Sequence, residues 1–285
     1  MSSSSHCVIV IPCYNESRRL PVAEIEDFLH REPYVSLLMV DDGSQDQTLE
    51  VLASLQDSRP SQISVLALPE NQGKAEAVRQ GMLAANQMGC HYVGFWDADM
   101  ATPLEAVPQF AAALDQSPRA YIAWGTRLGL MGRTINRHPL RRVLGKIFST
   151  ASAIAVSLPI RDALCGAKLF RRGPLVEQLF GCEFRSRWIF DVEILARLRM
   201  LLSQFPDQPA SEVLYEMPLN EWSEIEGSRL RLRDFVRAGM QIGALAVRSR
   251  LGRIELPPIV EPTLAGEILQ TVPFQQSSSE VRKAA

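Results

Sequence analysis

The sequence predicts an α/β fold in which helices flank a mostly parallel β-sheet. Two observations lead to this prediction. Short runs rich in Val, Ile and Leu recur along the chain, as expected of strands buried on both faces. Segments with the apolar spacing of a helix alternate with these runs. Ligands bind beyond the carboxyl ends of the strands in such sheets, so the residues after each run are the candidate site residues.

Five apolar runs define predicted strands, and each ends at a polar or turn residue. They are residues 7–11, 35–40, 63–68, 92–96 and, more weakly, 121–124. Residues 167–170 and 213–217 are two further predicted strands. Helical spacing predicts helices between or after them, at 46–55, at 74–88, within 184–202 and at 231–250. Thr102 as a cap and Pro103 in the first turn predict one more helix start.

The chain divides into three predicted parts. Residues 1–230 form a single catalytic domain. Residues 231–255 hold a basic amphipathic helix, with Leu232, Val236, Met240 and Val247 on one face. Residues 256–285 contain Pro, Ser and Gln and are predicted to be a flexible C-terminal tail.

The composition is that of an ordinary globular protein, with 285 residues, of which 46% are hydrophobic and 22% charged. A formal net charge of -2 gives no overall attraction to nucleic acid. The charge is unevenly distributed, because residues 116–161 contain eight Arg or Lys and no Asp or Glu. This stretch is either a solvated face or a basic wall that faces phosphates.

Five cysteines and the N-terminal residues bear on the compartment. No CxxC pair occurs, so neither structural zinc nor a disulfide framework is expected, and reduced thiols fit the cytoplasm. The first residues lack the basic and apolar regions of a secretory signal. No apolar run approaches the roughly 18 residues of a membrane-spanning helix. We therefore expect a cytoplasmic chain without a transmembrane helix, either free or peripheral on the cytoplasmic membrane face.

Asp97 and Asp99 carry the strongest chemical signal, because they directly follow the strand predicted at 92–96. Burying two carboxylates at a strand end costs several kcal/mol unless something compensates their charge. A hard divalent cation that bridges to a diphosphate would provide this compensation. The alternative is a plain Asp-rich turn.

Three further polar segments follow predicted strands. Asp41 and Asp42 could accept hydrogen bonds from a base or ribose, or form a strand-to-helix turn at Gly43. Tyr14 could stack on a nucleobase. Lys74 stands at a predicted helix start, where free amides suit an anion, although the upstream glycine of a phosphate loop is missing.

In this order, the segments PCYNE, VDDGS, NQGKAEA and DAD are similar to those of family 2 glycosyltransferases with the GT-A fold. The resemblance continues with GTR at 125–127, CGAKLF at 165–170, RWIFDVE at 187–193 and WSEIEGSR at 222–229. It spans residues 8–233. The set most resembles the dolichyl-phosphate β-glucosyltransferases and related polyprenyl-phosphate sugar transferases.

The resemblance implies a donor site for a nucleotide-sugar and a divalent cation, Mg²⁺ or Mn²⁺. Asp99 and Asp97 would be the metal ligands. The nucleotide-sugar would be held by residues from five segments of the chain, namely Pro12, Tyr14, Glu16, Asp42, Lys74, Asp97 and Trp222.

The resemblance also implies the catalytic residues. Asp191 matches the position that serves as base in many relatives, and Arg127 and Lys168 would lie near the donor or acceptor phosphates. Three arginines of the basic stretch fit the phosphate of an acceptor, namely Arg137, Arg141 and Arg142.

Three departures from the family pattern stand out. The chain has Ala75 where relatives have the second glycine of GKG, and Ala167 where they have Phe. The lipid-phosphate enzymes commonly carry membrane helices, which are not expected here. The last departure concerns the lipid acceptor and leaves the donor chemistry unaffected.

The predicted function is therefore the inverting transfer of a hexose, glucose from UDP-glucose, to a polyprenyl or dolichyl phosphate. Alternatives are a soluble acceptor bearing a phosphate or hydroxyl, GDP-mannose as donor, and a non-catalytic nucleotide-sugar sensor. A phosphate acceptor needs no general base, so Asp191 would orient it, whereas a hydroxyl acceptor would require Asp191 as base.

Overall fold

A computed structural model of the chain describes residues 7–136, 139–187, 189–205, 208–224 and 232–257. The strands are β1 (Cys7–Cys13), β2 (Val35–Asp41), β3 (Ile63–Ala67), β4 (Tyr92–Phe95), β5 (Ile122–Thr126), β6 (Thr134–Asn136), β7 (Lys168–Arg171), β8 (Leu214–Pro218) and β9 (Glu221–Ser223). The helices are α1 (Val22–Arg31), α2 (Thr48–Ser58), α3 (Lys74–Asn86), α4 (Val107–Gln116), α5 (Pro139–Val156), α6 (Pro174–Phe180), α7 (Phe190–Leu202), α8 (Ala210–Val213) and α9 (Leu232–Arg250).

The main sheet has seven strands in the order β3-β2-β1-β4-β7-β5-β8. Strands β3, β2, β1 and β4 are parallel, and β7 alone runs antiparallel to both of its neighbours. The predicted α/β fold with a mostly parallel sheet is confirmed, and all seven predicted strands form within two residues of their expected bounds.

The reversed strand β7 decides what reaches the carboxyl ends of the others. Its first residue, Lys168, pairs with Phe95 at the end of β4 and with Trp124 of β5. An antiparallel strand places its amino end where its neighbours have their carboxyl ends. Lys168 therefore lies at the edge of the sheet where a ligand is expected.

The sheet is buried on both faces by helices, which explains why its strands are continuously apolar. Alternate residues of β1 separate into the two cores. Val8 and Val10 pack into the core shared with α3, α6 and α7, whereas Ile9 and Ile11 pack into the core shared with α1, α2 and α4. Gly81 lets α3 approach β1 closely, since a Cβ there would lie 2.4 Å from Val10.

The predicted helix start at Thr102 is wrong. Pro103 has an extended backbone with ψ of 145°, and a 3₁₀ turn at Leu104–Ala106 separates it from α4, which begins at Val107. The Pro in the first turn of α4 is Pro108. Thr102 and Pro103 therefore precede a 3₁₀ turn and do not begin the helix itself.

The C-terminal amphipathic helix forms as α9 and packs against α5 and α7 through Ile242 and Leu245. The domain boundary at residue 230 stays a prediction, and most of the predicted tail lies outside the described residues. Across the segments that the structure describes, no helix has the length and apolarity to cross a bilayer. All five cysteines are free thiols.

Candidate active site

Five charged side chains gather near the carboxyl ends of β1 and β4, where the strand order reverses. They are Lys74 at the start of α3, Asp97 and Asp99 after β4, Lys168 at the start of β7, and Asp191 in the first turn of α7. We call them the carboxylate–lysine cluster. Two ion pairs and mutual electrostatic effects link its members, so the structure brings these predicted site residues together.

Lys74 and Asp97 form the exposed half of the cluster. The Lys74 Nζ lies 2.5 Å from Asp97 Oδ1, and both side chains are about one third exposed, at 34% and 32%. Burial by itself would lower the pKa of Lys74, but the charges of Asp97 and Asp191 outweigh it and raise that pKa. The ammonium is therefore held in its charged form within reach of solvent and of an anionic ligand.

The backbone of Gly166 touches the other side of the Asp97 carboxylate. A Cβ at Gly166 would lie 2.1 Å from Asp97 Oδ2, which is far inside van der Waals contact. Asp97 is thus held between Lys74 and the segment that leads into β7. The glycine is required here by close approach and not by backbone conformation.

Asp99 is a carboxylate whose ionised form is disfavoured by its surroundings. Burial raises its pKa, and the neighbouring charge of Asp97 raises it further, although it accepts a hydrogen bond of 3.1 Å from the Ala101 N–H. A cation beside the pair would reverse this effect. Two carboxylates are also the oxygen ligands that Mg²⁺ and Mn²⁺ prefer.

Asp97 and Asp99 would supply only part of the ligand set of a divalent cation. Among the described residues, no three His, Cys, Asp or Glu side chains group to hold a metal ion. The chain offers Asp97 and Asp99, so the remaining ligands would have to come from water and a bound diphosphate. This is the arrangement that Mg²⁺ commonly takes with nucleotide substrates.

Lys168 and Asp191 form the buried half of the cluster. The Lys168 Nζ lies 2.8 Å from Asp191 Oδ1, and the two side chains are 0% and 9% exposed. Burial raises the pKa of Asp191, and the positive charge of Lys168 opposes that rise. Lys168 also lies 4.7 Å from the centre of the Phe95 ring and 4.4 Å from that of Trp124. Because Lys168 is enclosed on all sides, it holds Asp191 in place and does not itself face the cleft.

Asp42 shapes the loop that leads to Lys74. Its carboxylate accepts hydrogen bonds from the N–H groups of Gln72 and Gly73, both at 2.9 Å, and from the Asn71 side chain at 3.1 Å. Burial raises its pKa, and these backbone donors oppose the rise. Gly73 has φ of 97°, which a side chain would disfavour. Asp42 is buried, and both of its carboxylate oxygens accept hydrogen bonds from residues 71–73 of the loop.

Neighbouring Asp41 is the other carboxylate that the sequence offered for the nucleoside. It is buried at the end of β2, and its Oδ2 accepts a hydrogen bond of 3.2 Å from the Ser44 N–H. Within the described part of the chain, its Oδ1 has no hydrogen-bond partner. A buried acceptor without a partner is unfavourable unless a ligand supplies the donor. This observation distinguishes Asp41 from Asp42, which the sequence alone could not do.

The loops after β1 and β2 bind each other and form the rim beside the two aspartates. The N–H of Asn15 donates to Ser44 Oγ at 3.0 Å, and that of Glu16 donates to Thr48 Oγ1 at 2.8 Å. Pro12 is the last residue but one of β1, and Tyr14 directly follows the strand as a partly buried aromatic. The predicted nucleoside residues therefore lie on one continuous rim.

Arg127 is held by an aspartate that the sequence analysis missed. Its guanidinium donates to Asp162 Oδ2 at 2.6 Å and to Oδ1 at 2.8 Å, in the bidentate geometry typical of strong pairs. Although burial opposes it, the charge of Asp162 raises the pKa of Arg127. The guanidinium also lies 5.3 Å from the centre of the Trp222 ring. The available signal was that Asp162 is the first acid after the acid-free stretch 116–161.

Arg187 is a second residue that was not singled out, although it begins the segment 187–193. Its side chain packs over Gly73, where a Cβ would lie 3.0 Å from Arg187 Cδ. Its charge opposes the rise in the pKa of Asp42 that burial causes. It adds an exposed cation beside the loop that ends at Lys74.

The three predicted acceptor arginines cannot be placed in the same way. Arg137 lies outside the described residues, and Arg141 and Arg142 lie in α5 with side chains that are also outside them. Their role in binding an acceptor phosphate stays a prediction.

The sequence model described as glycosyl transferase family 2 matches residues 8–179, which contain most of the cluster. The chain belongs to glycosyl transferase family 2. Curated relatives agree with this. Dolichyl-phosphate beta-glucosyltransferase from Drosophila melanogaster is 34% identical over 80% of this chain and 70% of its own length. The human protein of that name is 32% identical over 80% of this chain and 71% of its own.

Solved structures of glycosyltransferases share the fold at lower identity. Glucosyl-3-phosphoglycerate synthase from Mycobacterium tuberculosis, in complex with Mn²⁺ and UDP-glucose, aligns with a TM-score of 0.59 at 17% identity. The alignment covers 89% of this chain and 80% of the mycobacterial one. The GT-A fold predicted from the sequence motifs is confirmed.

Proposed function

We propose that this family 2 glycosyltransferase moves glucose from UDP-glucose to a polyprenyl or dolichyl phosphate, with inversion at the anomeric carbon. The observation that carries the proposal is the carboxylate–lysine cluster at the strand-order reversal, in which Lys74, Asp97 and Asp99 are partly exposed and Asp191 is buried against Lys168. The names of the curated relatives support the sugar and the acceptor. The mycobacterial complex supports UDP-glucose and a divalent cation.

The donor would lie along the rim with its diphosphate at the exposed half of the cluster. Asp41 and the rim residues Tyr14 and Glu16 would hold the nucleoside. Asp97 and Asp99 would hold Mg²⁺ or Mn²⁺, which when bound neutralises the negative charge that grows on the departing diphosphate. Lys74 lies 2.5 Å from Asp97 and would add a second positive charge to the same phosphates.

Asp42 and Gly166 contribute by positioning. Asp42 fixes the loop 71–73 and therefore the start of α3, from which Lys74 projects. Gly166 leaves room for the Asp97 carboxylate. Positioning of this kind supports electrostatic catalysis because the charges need not reorganise during the reaction.

Asp191 would act on the acceptor in one of two ways. A phosphate monoester is largely ionised near pH 7, since its second pKa is about 6. Such an acceptor can attack without losing a proton, so Asp191 would orient it, and Lys168 balances the charge of Asp191 at 2.8 Å. A hydroxyl acceptor would instead transfer its proton to Asp191.

Trp222 and Arg127 would form a side wall of the sugar site. The indole lies on β9, and the Arg127 guanidinium beside it is locked by Asp162. A fixed aromatic surface next to the cluster suits the apolar face of a hexose. We assign Arg127 the role of holding this wall, since both of its guanidinium bonds go to Asp162.

The proposal is tested by incubating the purified protein and Mn²⁺ with a polyprenyl phosphate and either UDP-glucose or GDP-mannose. Mass spectrometry should show a glucosylated lipid phosphate from UDP-glucose alone. Asp99→Asn should abolish the product, whereas the matched surface variant Asp57→Asn should retain it. Release of UDP without lipid product would replace the lipid acceptor with a soluble one, and absence of turnover would indicate a nucleotide-sugar sensor.

A further inference from the structure

Two neighbouring helices, α5 and α9, present exposed aliphatic side chains. On α5 these are Val143, Ile147 and Ile154, spaced at the intervals of one helical face. On α9 they are Met240 and Val247, and Leu251 directly follows the helix. Ile147 and Val247 are each 58% exposed, and Met240 is 66% exposed. We call these six residues the α5–α9 apolar surface.

The inner sides of the same helices account for their attachment to the domain. Ser149, Ser152 and Val156 of α5 are buried, and so are Ile242 and Leu245 of α9. Both helices pack against α7, and they pack against each other. Their outer stripes lie opposite these buried residues and therefore point away from the domain. The apolar side chains on the outside are 58–66% exposed, so most of their surface is not covered by the described residues.

The exposed charged side chains that the structure describes on the two helices are positive. Exposed Lys146 lies on α5, and exposed Arg237 and Arg250 lie on α9. The sequences of α5 and α9 contain one acid, Asp234, whose side chain lies outside the described residues. A second copy of the chain docked on this surface would bring these cations together, which disfavours a symmetric dimer. A surface of anionic headgroups over an apolar interior complements both the charge and the apolar stripe.

We infer that the α5–α9 apolar surface binds the interface of an anionic lipid bilayer. The two helices would lie in the plane of the interface, with Ile147 and Val247 inserted among the lipid chains and Lys146, Arg237 and Arg250 at the headgroups. This is the binding mode of amphipathic helices that lie on a membrane without crossing it. The proposed surface combines two helices. The amphipathic character of α9 is visible in its sequence, whereas the exposed apolar stripe of α5 is visible only in the structure.

The location of the surface relates it to the cluster. Both helices rest on α7, whose first turn holds Asp191, and packed helices lie about 8–10 Å apart. A bilayer bound there would lie within about the thickness of one or two helices of the candidate acceptor position. This second statement rests on the proposed function, whereas the lipid binding itself does not.

Flotation of the full chain with vesicles tests the inference. Vesicles of 70% phosphatidylcholine and 30% phosphatidylserine should carry the wild-type protein upward, and pure phosphatidylcholine or high salt should weaken this binding. Ile147→Asp combined with Val247→Asp should weaken partitioning at least about tenfold, since two inserted apolar side chains become charged. The matched control Tyr34→Asp alters a residue that is 56% exposed, directly precedes β2 and lies outside both helices, and it should float like wild type.

A second variant tests insertion directly, without relying on a loss of vesicle binding. In Ile147→Trp, fluorescence of the added indole should be quenched by lipids brominated along their chains. Wild-type protein that stays at the bottom, or unquenched Ile147→Trp, would overturn the inference. So would a concentration-dependent dimer that disappears in the Asp double variant while vesicles bind neither protein.

The outcome is separable from that of the proposed function. Flotation uses neither donor nor acceptor. In detergent with a short-chain polyprenyl phosphate, the Asp double variant should retain wild-type turnover. Intact flotation without any glucosyl transfer would refute the proposed function and leave the lipid surface standing.

Discussion

Gly166→Ala is the smallest change that should disable the exposed half of the cluster. A Cβ at this position would lie 2.1 Å from Asp97 Oδ2 and 2.4 Å from Asp97 Cγ, whereas Cβ contacts below 3.0 Å essentially do not occur. The carboxylate must therefore retreat by about 0.9 Å. The Lys74–Asp97 contact of 2.5 Å cannot survive such a shift unchanged.

The magnitude follows from the size of this displacement. Misplacing a group in an active site by about 1 Å can cost about 100-fold in rate. We expect kcat/KM for UDP-glucose to fall about 100-fold, which corresponds to about 2.7 kcal/mol of lost transition-state stabilisation. Folding should be little affected, because Asp97 is about one third exposed and can move toward solvent, and Gly166 has no positive φ.

The assay is steady-state turnover of UDP-glucose, paired with thermal unfolding. Gly89→Ala is the matched control, because a Cβ at Gly89 would find nothing within 4 Å and its φ is not positive. Both variants should unfold within about 1 kcal/mol of wild type, and only Gly166→Ala should lose activity. A folded Gly166→Ala protein with turnover within threefold of wild type would refute the assigned position of Asp97.

Three further predictions follow from the buried groups and the rim. Lys168→Met removes the cation 2.8 Å from Asp191, so the pKa of that carboxyl should rise further. In a pH–rate profile the acid limb should move to higher pH, and the protein should lose about 3 kcal/mol of stability; an unmoved limb would contradict the pairing. Asp191→Asn should lower kcat less than about tenfold with a phosphate acceptor and by about 100-fold or more with a hydroxyl acceptor. A mild effect with a proven hydroxyl acceptor would remove Asp191 from the role of base. The third prediction concerns Asp46, in the loop between β2 and α2. Burial would raise its pKa, but hydrogen bonds from Thr48 and Ser17 outweigh this effect and lower the pKa to about 2. Its stabilising contribution should be complete above the unfolded pKa of about 4 and lost as the pH falls toward 2, and a carboxyl titration by NMR near pH 4 would contradict this.

The strands and the exposed half of the cluster were predictable because both follow from local chemistry. Strands buried on both faces must be apolar throughout, so runs such as 35–40 mark them clearly. Acids placed directly after such a run, as Asp97 and Asp99 are, must lie at a strand end. Their neighbours along the sheet edge then follow from the parallel arrangement.

The direction of β7 could not be predicted, because a strand candidate of four residues carries no signal of its direction in the sheet. That direction places Lys168 in the buried half of the cluster, where it pairs with Asp191. The ion pair between Arg127 and Asp162 could not be predicted either, since the two residues are 35 positions apart and meet only through tertiary packing. The short strands β6 and β9 have three residues each, too few for any periodic pattern.

The sequence also could not separate Asp41 from Asp42. Adjacent residues of a strand end point in different directions, and only the structure shows which carboxylate is occupied. Asp42 accepts hydrogen bonds from Gln72 and Gly73, whereas Asp41 Oδ1 has no partner among the described residues. We therefore propose that Asp41, and not Asp42, accepts a hydrogen bond from the nucleoside.

Calorimetric titration of the purified chain with UDP-glucose tests the central claim most directly, namely that the cluster is a donor site completed by a divalent cation. With Mn²⁺ present, UDP-glucose should bind, and binding should weaken strongly in EDTA and in Asp99→Asn but not in Asp57→Asn. Equal binding of UDP-glucose with Mn²⁺ and with EDTA, or by Asp99→Asn and wild type, would contradict the account.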